Sequence, residues 1–466
     1  MEREILMDIS KDEKRVAILE KGRLVELFIA RENDKSIIGN IYLGVVENIL
    51  PGIQSAFVNI GLKKNAFISL EDRKEVSQLK RNQRILVQVT KEAWGGKGVR
   101  VTTDITLPGR HLVYTPFSKK IGVSRNISNR DERERLRNIV EDLSRNSSGF
   151  IIRTEAEGGR KKDLIREGRY LIELWNEIRK RVERNRGPLI YESMGIVLFV
   201  VRELFTDEFS GLFINSRREF KDILRYVKKL LPHLARRVKL YKKRESIFSR
   251  YNLEDQIEAL KNENISLRCG GYIIIQQTEA LTSIDVNTGG FSYKGNKEET
   301  AFRTNMEACE EIVHQLRLRN IGGIIIVDFV DMKDRKNRDK VLEFLKSAVK
   351  KDKAKIDILP ITRMGLLEMT RERKRESILN KICQPCPYCE GSGRVFSEVT
   401  MYIKIKKEIL RQVPALPTKY INVFVNPRVA PFFSDYILKD IENITRKNIR
   451  IRPDYKLHQH EFEITT

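Results

Sequence analysis

Two aspartates, Asp285 and Asp328, have the residue type and spacing for metal chemistry. Each lies near the carboxyl end of a segment that predicts a strand, and a helical pattern separates the two segments. In a βαβ crossover both carboxyl ends open on one edge of the sheet, so the two carboxylates should meet there. Asn287 shares a face with Asp285, because alternate residues of a strand point the same way.

Two such carboxylates supply the hard oxygen ligands that Mg²⁺ prefers, with water and a substrate phosphate in the remaining positions. The ion would lower the pKa of a bound water and so favour hydrolysis of a phosphodiester at neutral pH. The alternative is that Asp285 and Asp328 merely end strands. Against it, Asp328 follows an apolar run that should be buried, where an unpaired carboxylate is costly.

Two phenylalanines in the run AFVNIGLKKNAFISL (56–70) indicate a surface for nucleic acid. The apolar residues of this run recur at a period of two, which places Phe57 and Phe67 on the opposite, polar face. Bases could stack on these rings, and Lys91 and Lys97 would attract the phosphate backbone. The alternative is that another domain covers both rings.

Arg153 and Thr154 end the strand-like segment GFIIRT (149–154). A guanidinium fork and a hydroxyl at one strand end could together hold a phosphate through charge-assisted hydrogen bonds. The alternative is a solvated arginine, which is the usual state at a strand end.

Three cysteines crowd into CQPCPYC (383–389), a spacing typical of a zinc site in a reducing compartment. Cys383, Cys386 and Cys389 offer at most three thiolates, with no histidine nearby in the sequence, whereas structural zinc usually takes four ligands. Two chains could complete the site if each gave Cys386 and Cys389. The alternative is a set of free or redox-active thiols.

The elements that must position these residues follow from the periodicity of the apolar residues. The pattern predicts strands over most of 1–105, helices over 131–146 and 161–185, and a basic helical stretch over 217–244. A hairpin of strands 272–277 and 281–287 precedes a helix over 296–320, which would bury Cys309. The run 322–330 predicts a strand buried on both faces, followed by a helix (333–352) and a strand (355–361) in a βαβαβ order. Residues 397–466 predict a small domain of helix, strand, helix and strand.

The bulk composition limits the class of protein. At 466 residues the chain should form three to five domains. Lys and Arg number 88 against 64 Asp and Glu, so the net charge of +24 predicts a polyanionic partner. No apolar run is long enough to span a bilayer, and the N-terminus does not resemble a secretory signal. We therefore expect a cytoplasmic protein, either a nuclease or a non-catalytic RNA-binding protein.

Five segments resemble the ribonuclease E/G family, and the resemblance runs through almost the whole chain. It is closest in layout to the short ribonuclease G type. The segments are EALTSIDVNTG (279–289), EETAFRTNMEACEEI (298–312), QLRLRNIGGIIIVDFVDM (315–332), GLLEMTR (365–371) and CPYCEGSG (386–393).

The resemblance implies an endoribonuclease of RNA processing and decay, which cleaves single-stranded segments of mRNA and of rRNA and tRNA precursors and leaves a 5′-phosphate and a 3′-hydroxyl. Asp285 and Asp328 match the family's Mg²⁺ ligands, and Asn287 matches an asparagine used beside the scissile phosphate. Phe57, Phe67 and Lys97 match RNA-contacting positions of an S1 domain, an OB-fold.

The resemblance also implies a pocket that senses the 5′ end of RNA and prefers a monophosphate. Gly109, Val113, Arg153 and Thr154 match its phosphate-holding positions, with Arg125 in support. Cys383 is additional to the two-cysteine zinc link of longer relatives. Zinc shared by Cys386 and Cys389 of two subunits would make a homodimer, and such dimers could pair again.

The implied architecture is multidomain, with α/β and all-β parts. An S1 domain and a 5′-sensor module interrupt an RNase H-like subdomain, and a DNase I-like catalytic subdomain, the zinc link and a small C-terminal α/β domain follow. The expected boundaries are 1–35 (RNase H-like, first part), 36–105 (S1), 106–198 (5′-sensor), 199–264 (RNase H-like, second part), 265–380 (DNase I-like), 381–396 (zinc link) and 397–466 (small domain).

Overall fold

The chain forms two compact units, Met1–Lys381 and Ile382–Thr466. The computed structural model describes residues 3–31, 36–50, 52, 54–69, 79–92, 98–144, 148–184, 187–293, 296–373 and 375–466. No helix among these residues is both long and apolar enough to cross a bilayer.

The strands of the first unit are β1 (Arg3–Ile9), β2 (Glu13–Glu20), β3 (Arg23–Arg31), β4 (Ile41–Leu50), β5 (Ser55–Asn59), β6 (Ala66–Ser69), β7 (Arg84–Lys91), β8 (Arg100–Thr102), β9 (Leu107–Pro108), β10 (Leu112–Thr115), β11 (Ile121–Val123), β12 (Gly149–Ile152), β13 (Leu189–Tyr191), β14 (Phe209–Ile214), β15 (Val238–Leu240), β16 (Asn264–Ser266), β17 (Tyr272–Gln277), β18 (Leu281–Asn287), β19 (Gly323–Asp328), β20 (Ile356–Ile358) and β21 (Leu366–Arg371). Its helices are α1 (Arg130–Glu141), α2 (Lys161–Glu183), α3 (Ile196–Leu204), α4 (Arg217–Leu230), α5 (Ile247–Arg250), α6 (Leu253–Glu258), α7 (Lys297–Leu318) and α8 (Arg335–Ala348), with α9 (Ile378–Ile382) at its end.

The first sheet has the order β15-β14-β1-β2-β3. The chain leaves this sheet after β3 and returns at β14, which pairs in parallel with β1. Apolar residues of α3 and α4, including Val200 and Val227, pack against Ile5 and Met7 of β1. The predicted helix over 217–244 ends at Leu230, because Pro232 cannot donate the next helical hydrogen bond.

Strands β4, β5, β6, β8 and β7 form a small closed barrel, because β7 pairs with β4 as well as with β8. Ala56, Val58, Ala66 and Ile68 point into its core, as the alternating pattern predicts. The next sheet, β11-β12-β10-β9, is covered by α1 and α2. Leu164, Leu171 and Trp175 recur along α2 at helical spacing and fill the core there.

The sheet that carries Asp285 and Asp328 has the order β16-β17-β18-β19-β21-β20. The predicted hairpin of β17 and β18 is confirmed, and α7 connects the parallel strands β18 and β19. Cys309 of α7 is fully buried, as expected.

One prediction about this sheet is wrong and another is confirmed. Strand β19 is buried on one face only, since Ile325 and Val327 lie in the core but Ile324 is 52% exposed. The run is apolar on both faces, but α7 and α8 contribute to the core on one side. The predicted βαβαβ order along the chain is confirmed, from β18 through α7, β19 and α8 to β20, although β20 pairs with β21 and not with β19.

The second unit contains helices α10 (Glu398–Gln412) and α11 (Asp435–Thr445) and strands β22 (Tyr420–Val425), β23 (Asn448–Pro453) and β24 (Phe462–Thr465). The strands form a sheet in the order β23-β22-β24. The sequence pattern predicted one strand after α11, whereas the structure has two. The last, β24, pairs antiparallel with β22.

Candidate functional site

Asp285 and Asp328 are direct neighbours across the parallel strands β18 and β19, where they are paired in register. Both side chains lie on the sheet face opposite the core, because Ile284 and Val286 on β18 and Val327 on β19 occupy the buried positions. The parallel crossover therefore brings together the two carboxylates that the sequence placed at one edge.

Asn287 follows Asp285 on the same face of β18, and its side-chain Nδ2 donates a hydrogen bond to Asp285 Oδ2 at 2.8 Å. The bond fixes the Asp285 carboxylate and leaves the amide oxygen of Asn287 free of that contact. All three predicted catalytic residues thus occupy one small area of the sheet.

The charge of this area is unbalanced. Partial burial raises the pKa of Asp328 above its ordinary value, and the negative charges of Asp285 and Asp331 raise it further. Asp331 was missed by sequence reasoning, although its position in DFVDM, three residues beyond Asp328, was a usable signal. Neighbouring carboxylates that repel one another are a donor set suited to a hard divalent cation.

Within the described residues, no three His, Cys, Asp or Glu side chains converge on a metal position. A cation held by Asp285 and Asp328 would therefore keep most of its positions for water and substrate. Mg²⁺ coordinates in this way, because it loses its bound water slowly and usually binds proteins through one or two carboxylates.

Two residues of α7 fix the loop that follows Asp328. The buried amide of Asn305 donates to the Val330 carbonyl at 2.8 Å and accepts from the Val330 N–H at 3.0 Å. Glu298 accepts hydrogen bonds from the backbone N–H groups of Lys333 and Asp334. Sequence reasoning missed both, although a buried asparagine within an apolar helix stripe was the available signal.

The barrel places Phe57 and Phe67 side by side. They are paired across β5 and β6, and their ring centroids are 6.2 Å apart in an edge-to-face arrangement. The same cross-strand row continues to Arg100 on β8 and Lys91 on β7, both exposed. Sequence reasoning missed Arg100, because β6 and β8 are not consecutive strands. Lys97 lies outside the described residues.

Arg153 is held at the end of β12 by two partners. Its Nη1 donates to the Gly109 carbonyl at 2.7 Å, and Nη1 and Nη2 meet the two carboxylate oxygens of Glu203 at 3.0 and 2.8 Å. Burial disfavours the guanidinium charge, but Glu203 outweighs this and raises the pKa of Arg153. Glu203, on α3, was not identified from the sequence.

Of the other residues predicted for a phosphate site, Gly109 bonds Arg153 directly. Gly109 is closely packed, since a Cβ there would lie 2.0 Å from Glu167 Oε1. Val113 lies on β10, the strand that pairs with β12. The Thr154 hydroxyl bonds Ser124 Oγ at 2.9 Å, and the adjacent Arg125 is exposed.

The cysteine segment forms a tight loop in the second unit. The backbone N–H groups of Gly393 and Gly391, together with a hydrogen bond from the Cys386 thiol, lower the pKa of the Cys389 thiol. Gly391 and Gly393 both have positive φ, which lets their amides turn toward the sulfur. A pair of thiols with one acidified sulfur suits a soft divalent metal such as zinc.

No histidine lies near the cysteines in the sequence, but the fold brings His458 close to them. The His458 ring lies 4.0 Å from the Tyr388 ring, and its Nε2 contacts the Tyr388 carbonyl at 2.6 Å. Sequence distance hid this contact. His458 Nδ1 accepts from the His460 N–H at 3.1 Å, so both ring nitrogens of His458 have hydrogen-bond partners within this unit.

Comparison with known proteins gives the family. Residues 106–374 match the Ribonuclease E/G family. Ribonuclease G of Haemophilus influenzae is 37% identical over 99% of each chain. Ribonuclease G of Escherichia coli is 36% identical over all of this chain and 99% of its own length.

The chain belongs to the ribonuclease E/G family. Ribonuclease E of Haemophilus influenzae is 31% identical over the whole of this chain, which spans 52% of that longer protein. The matched range of the ribonuclease E/G family contains the Asp285 and Asp328 pair, Asn287 and the Arg153 cluster.

Proposed function

We propose that this member of the ribonuclease E/G family is an endoribonuclease that hydrolyses single-stranded RNA at Asp285 and Asp328. The observation that carries the proposal is the in-register pairing of these two aspartates on the open face of one sheet. Relatives of nearly equal length that bear the name ribonuclease G support an RNA substrate.

Asp285 and Asp328 would hold Mg²⁺, as the donor set and the unbalanced charge favour. A bound Mg²⁺ would neutralise charge on the scissile phosphate and lower the pKa of a bound water, which would supply hydroxide for the attack at neutral pH. Asn287 keeps Asp285 oriented and would contact the scissile phosphate. Addition of water across the P–O3′ bond leaves a 5′-phosphate on one product and a 3′-hydroxyl on the other.

The barrel would bind the single-stranded RNA and guide it to Asp285 and Asp328. We assign it as an S1-type OB-fold, in which Phe57 and Phe67 stack bases. Lys91, Lys97 and the newly recognised Arg100 would bind the adjacent phosphates. The exposed row of aromatic and basic residues across the barrel supports this assignment.

The Arg153 cluster would bind the 5′ end of the RNA. Gly109 bonds Arg153, Thr154 follows it and Val113 lies on the paired strand β10, and these residues with Arg125 would complete the site. A terminal monophosphate is a small dianion that this cradle could enclose, whereas a triphosphate is bulkier. RNA with a 5′-monophosphate should therefore be the preferred substrate.

The remaining assignments concern architecture and assembly. The first sheet would be an RNase H-like scaffold, and the sheet with Asp285 and Asp328 would be a DNase I-like subdomain. Cys386 and Cys389 from each of two chains would bind one Zn²⁺ and form a homodimer, and two dimers could associate. All five cysteines are free thiols, which suits the reducing cytoplasm.

Product analysis tests the proposed activity. A defined single-stranded oligoribonucleotide with a 5′-monophosphate is incubated with the protein and Mg²⁺, and the ends of the products are mapped. Internal cuts with 5′-phosphate and 3′-hydroxyl ends, abolished by a chelator, are expected. Tight binding of RNA that remains intact would instead favour the non-catalytic RNA-binding alternative.

A further inference from the structure

A groove of about 630 Å³ runs along α2 and is closed at one side by the end of α4. The α2 residues that line it include Lys162, Arg166, Arg169 and Glu173, spaced three or four residues apart on one helix face. They extend over about three turns, roughly 16 Å. We call this feature the basic groove. None of the residues assigned to metal, 5′-end or barrel contacts lines it.

The basic groove carries an excess of positive charge. Its lining includes five cations, Lys161, Lys162, Arg166, Arg169 and Lys229, but one carboxylate, Glu173, among the described residues. Glu173 is already paired with Lys229 at 2.8 Å. Arg166 has a partner outside the lining. Three cations of the lining therefore have no counter-charge within the groove.

Arg166 pairs with Asp163 at 3.0 Å, and Asp163 also binds Arg160. Lys161, Lys162 and Arg169 make no ion pair with any residue that the structure describes. Their charges are therefore available to a ligand.

This arrangement costs folding free energy. Lys162 and Arg166 are like charges four residues apart on one helix, and Arg166 and Arg169 are three apart, which is destabilising. Lys161 and Lys162 also lie in the first turn of α2, where the helix dipole disfavours cations. Packing does not require them, because Leu164 and Leu171 bury the other face of the helix.

We propose that the basic groove is a further RNA-binding site, which holds the phosphodiester backbone of a single-stranded segment away from the scissile bond. Its concave shape and its linear series of cations suit a chain of regularly spaced phosphates. The half-buried Tyr170 lines the groove, with Lys229 4.9 Å from its ring centroid, and adds an aromatic surface for the nucleotide. The site goes beyond the proposed cleavage and does not depend on it.

The test measures RNA binding without divalent metal, so that no strand is cut. The combined variant Lys161→Gln, Lys162→Gln and Arg169→Gln is compared with the parent on a long unstructured RNA at several salt concentrations. The Kd should rise at least several-fold. The slope of log affinity against log salt should become shallower by about 2, since each phosphate contact on a single strand contributes roughly 0.7.

A matched variant controls for net charge. Lys242→Gln, Lys243→Gln and Arg244→Gln remove the same charge from three exposed residues outside the groove. This variant should keep most of the parent's affinity. An equal loss of affinity in both variants would show a general charge effect and would overturn the proposal.

Glu173→Gln supplies a change of opposite sign. Removing the carboxylate that lines the groove should lower the Kd for the same RNA, and a higher Kd would contradict the site. Thermal unfolding of the Lys161, Lys162 and Arg169 variant should match that of the parent and confirm its folding. If the parent itself does not cleave, the proposed function fails while the binding comparison still decides the groove.

Discussion

The side-chain amide of Asn305 binds the main chain of Val330 on both sides, donating to its carbonyl and accepting from its N–H. Val330 lies two residues beyond Asp328, so a residue of α7 determines the path of the chain that leaves the edge with Asp285 and Asp328. Asn305 is fully buried, and no water can take over these two hydrogen bonds without a change in packing.

We expect Asn305→Ala to lower the free energy of unfolding by about 2 kcal/mol or more, because two buried backbone groups lose their partner. The kcat for RNA cleavage should fall, since Asp328 loses its support, while KM changes little. Thermal unfolding and steady-state kinetics measure both effects. Asn305→Asp keeps the acceptor but buries a carboxylate against the Val330 carbonyl, so it should destabilise the fold at least as much as Asn305→Ala. A fall in stability with unchanged kcat would limit Asn305 to a structural role.

Glu311 predicts a pH dependence of stability. Burial disfavours its charge, but hydrogen bonds from His314, Arg23 and Gln315 outweigh this and lower its pKa to about 2 from 4.5. A carboxyl group whose pKa is lower in the folded state stabilises the fold at any pH above its unfolded-state pKa. This contribution is lost as the pH falls through the folded-state pKa. The stability difference between parent and Glu311→Gln should therefore be largest near neutral pH and shrink as pH falls from 4.5 toward 2.

Unfolding measured at a series of pH values checks this prediction. Glu310→Gln changes the exposed neighbour and should follow the parent at every pH. A constant difference between parent and Glu311→Gln would mean that Glu311 does not titrate differently in the folded state.

Arg153→Ala tests the proposed 5′-end site. A charge-assisted hydrogen bond contributes about 1.5–3 kcal/mol, so the preference for 5′-monophosphate over 5′-hydroxyl RNA should fall roughly ten- to hundredfold. Initial rates on both substrates give this preference. Arg137→Ala, at an exposed position of α1, should retain it. If Arg153→Ala keeps the parent's preference, the 5′ end is recognised elsewhere.

The cysteine loop predicts metal content and assembly together. Cys386→Ser with Cys389→Ser should release zinc and give smaller particles in sedimentation, because two thiolates per chain are lost. Cys383→Ser should keep both zinc and the oligomer, since a hydrogen bond between thiols joins Cys386 to Cys389 and Cys383 is not part of that pair. Zinc loss in the Cys383 variant would reassign the ligands.

The sequence allowed prediction of residue positions that depend on the local pattern of apolar residues. Asp285 and Asp328 were expected at one edge, because two apolar strands separated by one helix have few possible arrangements. Cys309 was expected in the core for the same reason. Local patterns could not reveal that one face of β19 is open, since Ile324 and Ile325 are equally apolar.

Contacts between segments distant in the chain could not be predicted from local sequence patterns. Arg100 joins Phe67 through a pairing of non-consecutive strands, and Glu203 reaches Arg153 from another helix. His458 meets Tyr388 across 70 residues. Such contacts depend on the global fold, which no local pattern encodes.

Asp285 and Asp328 are proposed to make the hydrolytic centre together. The most direct test compares the parent with Asp285→Asn and Asp328→Asn on one 5′-monophosphorylated oligoribonucleotide in Mg²⁺, with RNA affinity measured in parallel. Each substitution keeps the side-chain shape but removes the charge that a hard cation requires. Loss of cleavage with RNA affinity retained is the predicted result, and cleavage at the parent's rate by either variant would contradict it.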